Sequence, residues 1–278
     1  MGTSRSQLRT TDCADTKAAA GPEKFSAGAM LRLLLPKEHG SWSLTFEPVA
    51  LGLLAAPSRP GMSFALAASA GFFLRRPLKL VLQARPDPRQ RLAAYGVGGL
   101  SLLALAGLLG AIGLGSVVQL WPLLPVLAAG ALFLWFDARN EGREGAAEIA
   151  GAAAFALLPA VFASLAGWRW ESSLALAAVM LARSVPTVML VRARLRRAKG
   201  RPTATRPALV ATLCATILLL WLAGRAMIPW LAGAVSVLLL ARAVWYLSAQ
   251  PTPLTAKQIG VLELILGLAV VLTAAWPW

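Results

Sequence analysis

The sequence predicts an all-α fold, a polytopic transmembrane helical bundle of about nine spans. Three observations carry that prediction. Apolar residues make up 58% of the 278-residue chain and charged residues only 14%, against about 25% charged in soluble proteins. The apolar residues come in long runs separated by short polar links, which is how spanning helices read. The charge is unbalanced, with 27 Lys and Arg against 12 Asp and Glu, and the cations gather between the runs. A soluble enzyme of this composition would have to expose much of its apolar content to water. A disordered chain and a disulfide scaffold are excluded on the same numbers. Nucleic acid is not an expected partner, because long apolar runs divide the basic residues.

The elements follow in order. Residues 1–30 are polar and rich in small residues, and are expected to be a disordered tail. They contain no apolar stretch of the signal-peptide kind. Residues 31–278 are expected to form one transmembrane domain. Its nine runs extend from Trp42 to Ala56, Met62 to Leu74, Leu92 to Leu114, Val117 to Phe136, Ala146 to Gly167, Ser172 to Val191, Ala208 to Ala223, Ile228 to Leu247 and Ile259 to Trp276. A span needs about 20 residues. The first run is therefore expected to continue upstream toward Leu33, and the second downstream toward Leu82.

The distribution of Lys and Arg in short loops sets orientation. The link after the second run holds Arg75, Arg76, Lys79, Arg85, Arg89 and Arg91 against Asp87 alone. The link after the sixth holds Arg192, Arg194, Arg196, Arg197, Lys199, Arg201 and Arg206 with no acid. The other side carries Arg59, Arg169 and Arg225. The N-terminus and the links after spans two, four, six and eight are thus expected in the cytoplasm. Trp121, Trp168, Trp170, Trp230 and Trp276 fall near the opposite ends, where an aromatic belt belongs.

Ionisable residues inside spans cost about 2.5–3.5 kcal/mol each on insertion scales, so each asks for a reason. Lys37, Glu38, His39 and Glu47 crowd the first helix start. They read either as a capped entrance in the headgroup layer or as a site in the bundle interior. The single histidine, His39, excludes multi-histidine metal centres. Asp137, Glu141, Glu144 and Glu148 are spaced 4, 3 and 4. On one unbroken helix they would share a face and offer oxygen ligands to Mg²⁺. A turn must fall near them, however, and Gly142 or Gly145 would make it, giving a solvated turn with salt bridges instead. Arg183 lies mid-span, eleven residues before Arg194 and on nearly the same face. It reads equally as part of an anion cradle with Arg192 and Arg194, or as internal glue paired with Glu47 or Glu148. Arg242 and Glu263, in spans eight and nine, are expected to pair.

These residues carry a resemblance. Pro36-Lys37-Glu38-His39-Gly40-Ser41-Trp42, with Glu47, Pro48 and Gly52 after it, resembles the opening signature of the YwiC-like family of bacterial membrane proteins. Glu148 to Gly151 with Pro159, and Arg183 to Leu195, fit the same pattern. That resemblance implies a bacterial inner (plasma) membrane protein and brings no activity with it. Nine spans with elaborated links after spans two and six are also similar to the UbiA superfamily of intramembrane prenyltransferases. Those enzymes keep aspartate-rich motifs in the two links for Mg²⁺ and a prenyl diphosphate. Here one link has only Asp87 and the other has no acid, so the resemblance extends to topology and not to that chemistry.

Three functions are weighed. The leading one is an intramembrane enzyme or lipid-binding protein with a cytoplasm-facing basic site for an anionic lipid or isoprenoid. Lys37, Arg75, Arg76, Glu148, Arg183, Arg192 and Arg194 would bind the ligand, and His39, Glu38 and Glu47 are the acid–base candidates. The second is a transporter of a small anion or organic acid, though no internal repeat is visible. The third is a non-catalytic assembly factor. No cofactor is indicated, and the one partner the composition requires is the lipid bilayer.

Overall fold

The computed structural model describes residues 40–82, 90–142, 144–248 and 254–276. All regular structure among them is helical. The helices are α1 (Gly40–Ala55), α2 (Arg59–Val81), α3 (Gln90–Leu114), a 3₁₀ turn (Val117–Leu120) leading into α4 (Leu123–Ala138), α5 (Gly145–Ala156), α6 (Leu158–Leu165), α7 (Trp170–Ala198), α8 (Arg206–Gly224), α9 (Trp230–Leu247) and α10 (Ala256–Ala275). They form nine rods, because the 3₁₀ turn continues into α4 and α5 into α6. Seven of the rods are long and apolar enough to cross a membrane. The second rod is long enough too, but Arg75, Arg76 and Lys79 lie in its last turns. It does continue past Leu74 to Val81, as expected. The upstream reach of the first run toward Leu33, and the 1–30 tail, lie outside the described residues.

Local chemistry explains where the rods begin and end. Ser58 accepts a hydrogen bond from the Gly61 amide at 3.1 Å and starts α2, with Pro60 in the first turn, where no donor is missed. Ser116 with Gln119, and Thr255 with Gln258, form capping boxes ahead of the fourth and ninth rods. Four rods close on a left-handed residue: Asn140, Gly167, Gly200 and Ala226 all have positive φ. In each case the next amide reaches five residues back, for example Glu141 to the Phe136 carbonyl at 2.9 Å and Met227 to Leu222 at 2.9 Å. The fifth rod breaks at Leu157 because Pro159 has no amide to offer the Phe155 carbonyl.

Burial sorts the rods into a centre and a rim. The α5–α6 rod and α7 are 61% buried in their most apolar windows, against 11% for α3 and 6% for the rod that ends in α4. The last two therefore lie at the rim, with few fully buried residues. In the centre, α7 packs against α1, α5, α6, α8, α9 and α10. The main core joins Leu51, Leu176, Met180, Leu219, Leu239, Leu266 and Val271. A second core gathers around Phe162, with Phe64 edge-on to it at 5.3 Å. The rim helix α3 is held chiefly by α2. Gly107 makes that pairing close, since a Cβ there would lie 2.7 Å from the Ala67 amide nitrogen and the Ser63 carbonyl oxygen. Small residues at such contacts are how apolar helices associate in lipid.

Candidate functional site

The bundle has one end rich in cations, where α2, α4, α7 and α9 finish and α3, α5, α8 and α10 begin. Polar side chains meet in two places there: inside the bundle one to two turns beneath that end, and on its rim.

The interior site draws on four helices. Arg183 of α7, Glu47 of α1, Arg242 of α9 and Glu263 of α10 are 2%, 4%, 6% and 6% exposed. Arg183 is shared between two carboxylates. Its Nη1 lies 3.3 Å from Glu263 Oε2, and its Nη2 lies 3.7 Å from Glu47 Oε1. Nη2 also donates to the Glu263 main-chain oxygen at 2.6 Å, and Nη1 to Thr187 Oγ1 at 2.5 Å. Arg242 donates to the same Glu263 oxygen through a short bond. Two cations and two anions thus cancel in a place where a lone charge would be prohibitive. Thr187, one turn after Arg183, hands its own proton back to the Arg183 carbonyl at 2.6 Å. Gly267 is what makes room: a Cβ there would run into the Glu47 carboxylate. Polar valence is left over, because Glu47 Oε1, Glu263 Oε1, Arg183 Nε, Arg242 Nε and the Tyr246 hydroxyl are buried without a hydrogen bond.

The rim site lies at the ends of α2, α4, α5 and α7. Asp137 accepts from Lys79 at 2.9 Å and Arg75 at 3.4 Å. The Arg75 guanidinium also lies 4.4 Å from the centre of the Phe133 ring. Phe133 in turn packs where Gly151 leaves space on α5, one turn from Glu148. Glu148 accepts from Arg192 at 2.7 Å. The side chains of Arg75 and Lys79 are 49% and 45% exposed, so these pairs are weak holds in a wet layer. Beyond Arg192, α7 continues through Arg194, which is buried and donates to the Tyr246 carbonyl at 2.9 Å, and Arg197, which donates to Leu247 at 3.1 Å. Arg196, Lys199, Arg201 and Arg206 are exposed.

The sequence-predicted residues are therefore distributed as follows. Glu47 and Arg183 come together, and the expected Arg242–Glu263 pair joins them in a single quartet. Glu148 pairs with Arg192 and not with Arg183. Arg75 lies on the rim, with Arg76 on the same turn of α2. Arg183 and Arg194 share a face of α7, both buried. Lys37, Glu38 and His39 lie outside the described residues. The 4, 3, 4 carboxylate stripe is interrupted, because α4 stops at Ala138 and the chain turns at Asn140 (φ 60°) before α5 starts at Gly145. Asn140 supplies the left-handed residue that ends α4, and Gly142 lies in the turn that follows, closed by the Glu144 amide to the Glu141 carbonyl at 2.8 Å, where it leaves space beside Asp137. Among the described residues no group of three or more His, Cys, Asp or Glu side chains is placed to hold a metal ion. Sequence reasoning missed Thr187, Tyr246 and Gly267. Two of them had a signal, since Thr187 follows Arg183 and Gly267 follows Glu263 by one helical turn.

An all-helical bundle with seven membrane-length apolar rods, and with most of its described charges sealed inside or gathered at one end, is a multi-pass integral membrane protein. Residues 35–163 match the family described as YwiC-like protein. No curated protein and no solved structure matches the chain.

Proposed function

We propose that this protein lies in the bacterial inner (plasma) membrane, N-terminus in the cytoplasm, and binds an anionic lipid or isoprenoid ligand at a basic site facing the cytoplasm. One observation carries the reading. The end of α7 and the start of α8 present Arg196, Lys199, Arg201 and Arg206, all exposed and with no acid in that link, beside the half-exposed Arg75 and Lys79 and the more covered Arg192. Orientation by positive charge puts this end in the cytoplasm. Guanidinium groups there would meet a phosphate or carboxylate head group with paired donors. Asp137 and Glu148 hold Arg75 and Arg192 in place until a stronger anion arrives. Arg183 and Arg194, sealed within the bundle, act by fixing α7 and not by touching the ligand. His39 and Glu38 are the acid–base groups for any reaction on it, with Lys37 next to them in the sequence; Glu47, sealed against Arg183, holds α1 and does not touch the ligand. Mg²⁺-dependent prenyl transfer is not part of the reading, because the two links carry arginine where that chemistry needs aspartate.

The test is the lipid retained by the purified full-length protein, read by native mass spectrometry. Anionic lipid should be enriched over zwitterionic lipid, and Arg192→Gln with Arg196→Gln and Arg206→Gln should abolish the enrichment. An unchanged lipid profile in that triple variant sinks the proposal. A C-terminal reporter active only outside the cytoplasm checks the orientation.

A further inference from the structure

A head-group site leaves the ligand's hydrocarbon unplaced, and the bundle offers a place for it. An apolar furrow runs between α7 and α8. One stretch, a cavity of about 330 Å³, is walled by Leu181, Ala182, Pro186, Ala211, Cys214 and Ala215. The next, about 240 Å³, is walled by Trp170, Leu174, Ala175, Leu222 and Met227, with Glu171, paired to Arg169, at its far end. Ala178 and Leu218 line both, so the two are one furrow. Alanines at facing positions of the two helices make it, by leaving low ground between side chains that would otherwise meet.

Its length and its ends identify the occupant. Along α7 it runs from Pro186 to Trp170, a rise of about 24 Å at 1.5 Å per residue. The hydrocarbon of one leaflet is about 15 Å deep, half of the ~30 Å core. The furrow therefore crosses the bilayer midplane, which an ordinary acyl chain does not. The two helices pack directly against one another with axes about 8–10 Å apart, so the furrow is a groove open to lipid along one seam, the width of one chain. At the Pro186 end the α7 side continues on the same face to Arg196, about 15 Å further along, and Arg196 is exposed.

We propose that the furrow between α7 and α8 holds a single linear hydrocarbon tail longer than one leaflet, whose anionic head group lies against Arg196. This rests on the head-group reading above and narrows its ligand to a long single-chain amphiphile. Because the tail leaves lipid for a protein surface equally apolar, the preference comes from packing alone and is modest.

The experiment measures binding of three probes to the full-length protein in micelles by native mass spectrometry. They are a single-chain monophosphate with a tail shorter than a leaflet, one with a tail longer than a leaflet, and a two-chain phosphatidic acid. The long single chain should bind about fivefold tighter than the other two, roughly 1 kcal/mol. Ala182→Trp, which fills the furrow, should erase that preference, whereas Val210→Trp on the exposed side of α8 should keep it. Arg196→Gln with Arg206→Gln should weaken all three probes together. Equal binding of the three probes, with the arginine variant still weaker, overturns the furrow and leaves the head-group site standing. No binding of any of them overturns both.

Discussion

Glu263→Gln tests the interior quartet most directly, because Glu263 is its hub. Its carboxylate meets both arginines, Arg183 at 3.3 Å and Arg242 by the short bond. Glu47 meets only Arg183, at 3.7 Å. Glutamine keeps the shape and one carbonyl acceptor, so the substitution removes charge and little else. The quartet then carries a net positive charge, and Arg242 loses the one carboxylate it touches among the described residues. Breaking a buried pair by removing one partner costs about 3–5 kcal/mol. Glu47→Gln removes one longer contact without a hydrogen bond and should cost about half as much. The discriminating variant is Arg242→Gln with Glu263→Gln. It restores neutrality and leaves Arg183 facing Glu47, so it should recover about 2 kcal/mol relative to Glu263→Gln alone. The assay is reversible unfolding by SDS in mixed micelles, followed by helical circular dichroism. If Glu263→Gln is no less stable than Glu47→Gln, or the double variant is no better than the single, the charge-balance reasoning is refuted.

Two further predictions concern close packing. Gly267→Ala pushes a methyl group into the Glu47 carboxylate and should cost about 1–3 kcal/mol in the same unfolding assay, the range for overpacking; adding Glu47→Ala should return part of it. Gly107→Ala places its methyl group against the α2 backbone at Ser63 and Ala67, which cannot rotate away. It should loosen α3 from α2 with a comparable loss, read as faster hydrogen exchange confined to those two helices.

The rods were legible because lipid demands long apolar runs, and each of the nine runs in the sequence corresponds to one rod. Rod ends were less legible. The left-handed residue that ends α4 is Asn140, although two glycines follow it within five residues. A glycine advertises that it can turn; which residue ends the helix depends on where the helix runs out of partners. Depth and facing were least legible. Helices apolar on all sides have no periodicity to say which side is inward, so Arg183–Glu47 and Arg242–Glu263 could be read as pairs but not as one quartet. The Glu148–Arg192 pair fell to the same cause, since nothing along α7 says that Arg192 faces α5 while Arg183 faces α1 and α10.

The quartet also answers a problem that the apolar composition creates. Lipid tails are as apolar as leucine, so Ala- and Leu-rich faces gain little by choosing one rotation or depth over another. Four charges that must cancel remove that freedom. Arg183 reaches both carboxylates only when α1, α7, α9 and α10 hold a particular rotation, and Gly267 admits the Glu47 carboxylate at one depth of α1 against α10. Glu263 lies about 10 Å inside the start of α10 and Arg242 about 8 Å from the end of α9, while Arg183 lies near the middle of α7, about 22 Å before Ala198. The quartet therefore fixes the frame from which α7 extends its cations to the basic end. It also divides the chain in an informative way. The stretch that matches the YwiC-like family, residues 35–163, contains Glu47 but none of its three charged partners. A buried carboxylate without them would be among the costliest groups in the bundle. Glu47 is thus a demand made by the first part of the chain and met by the second, and a helical bundle cut after α6 would carry it uncompensated.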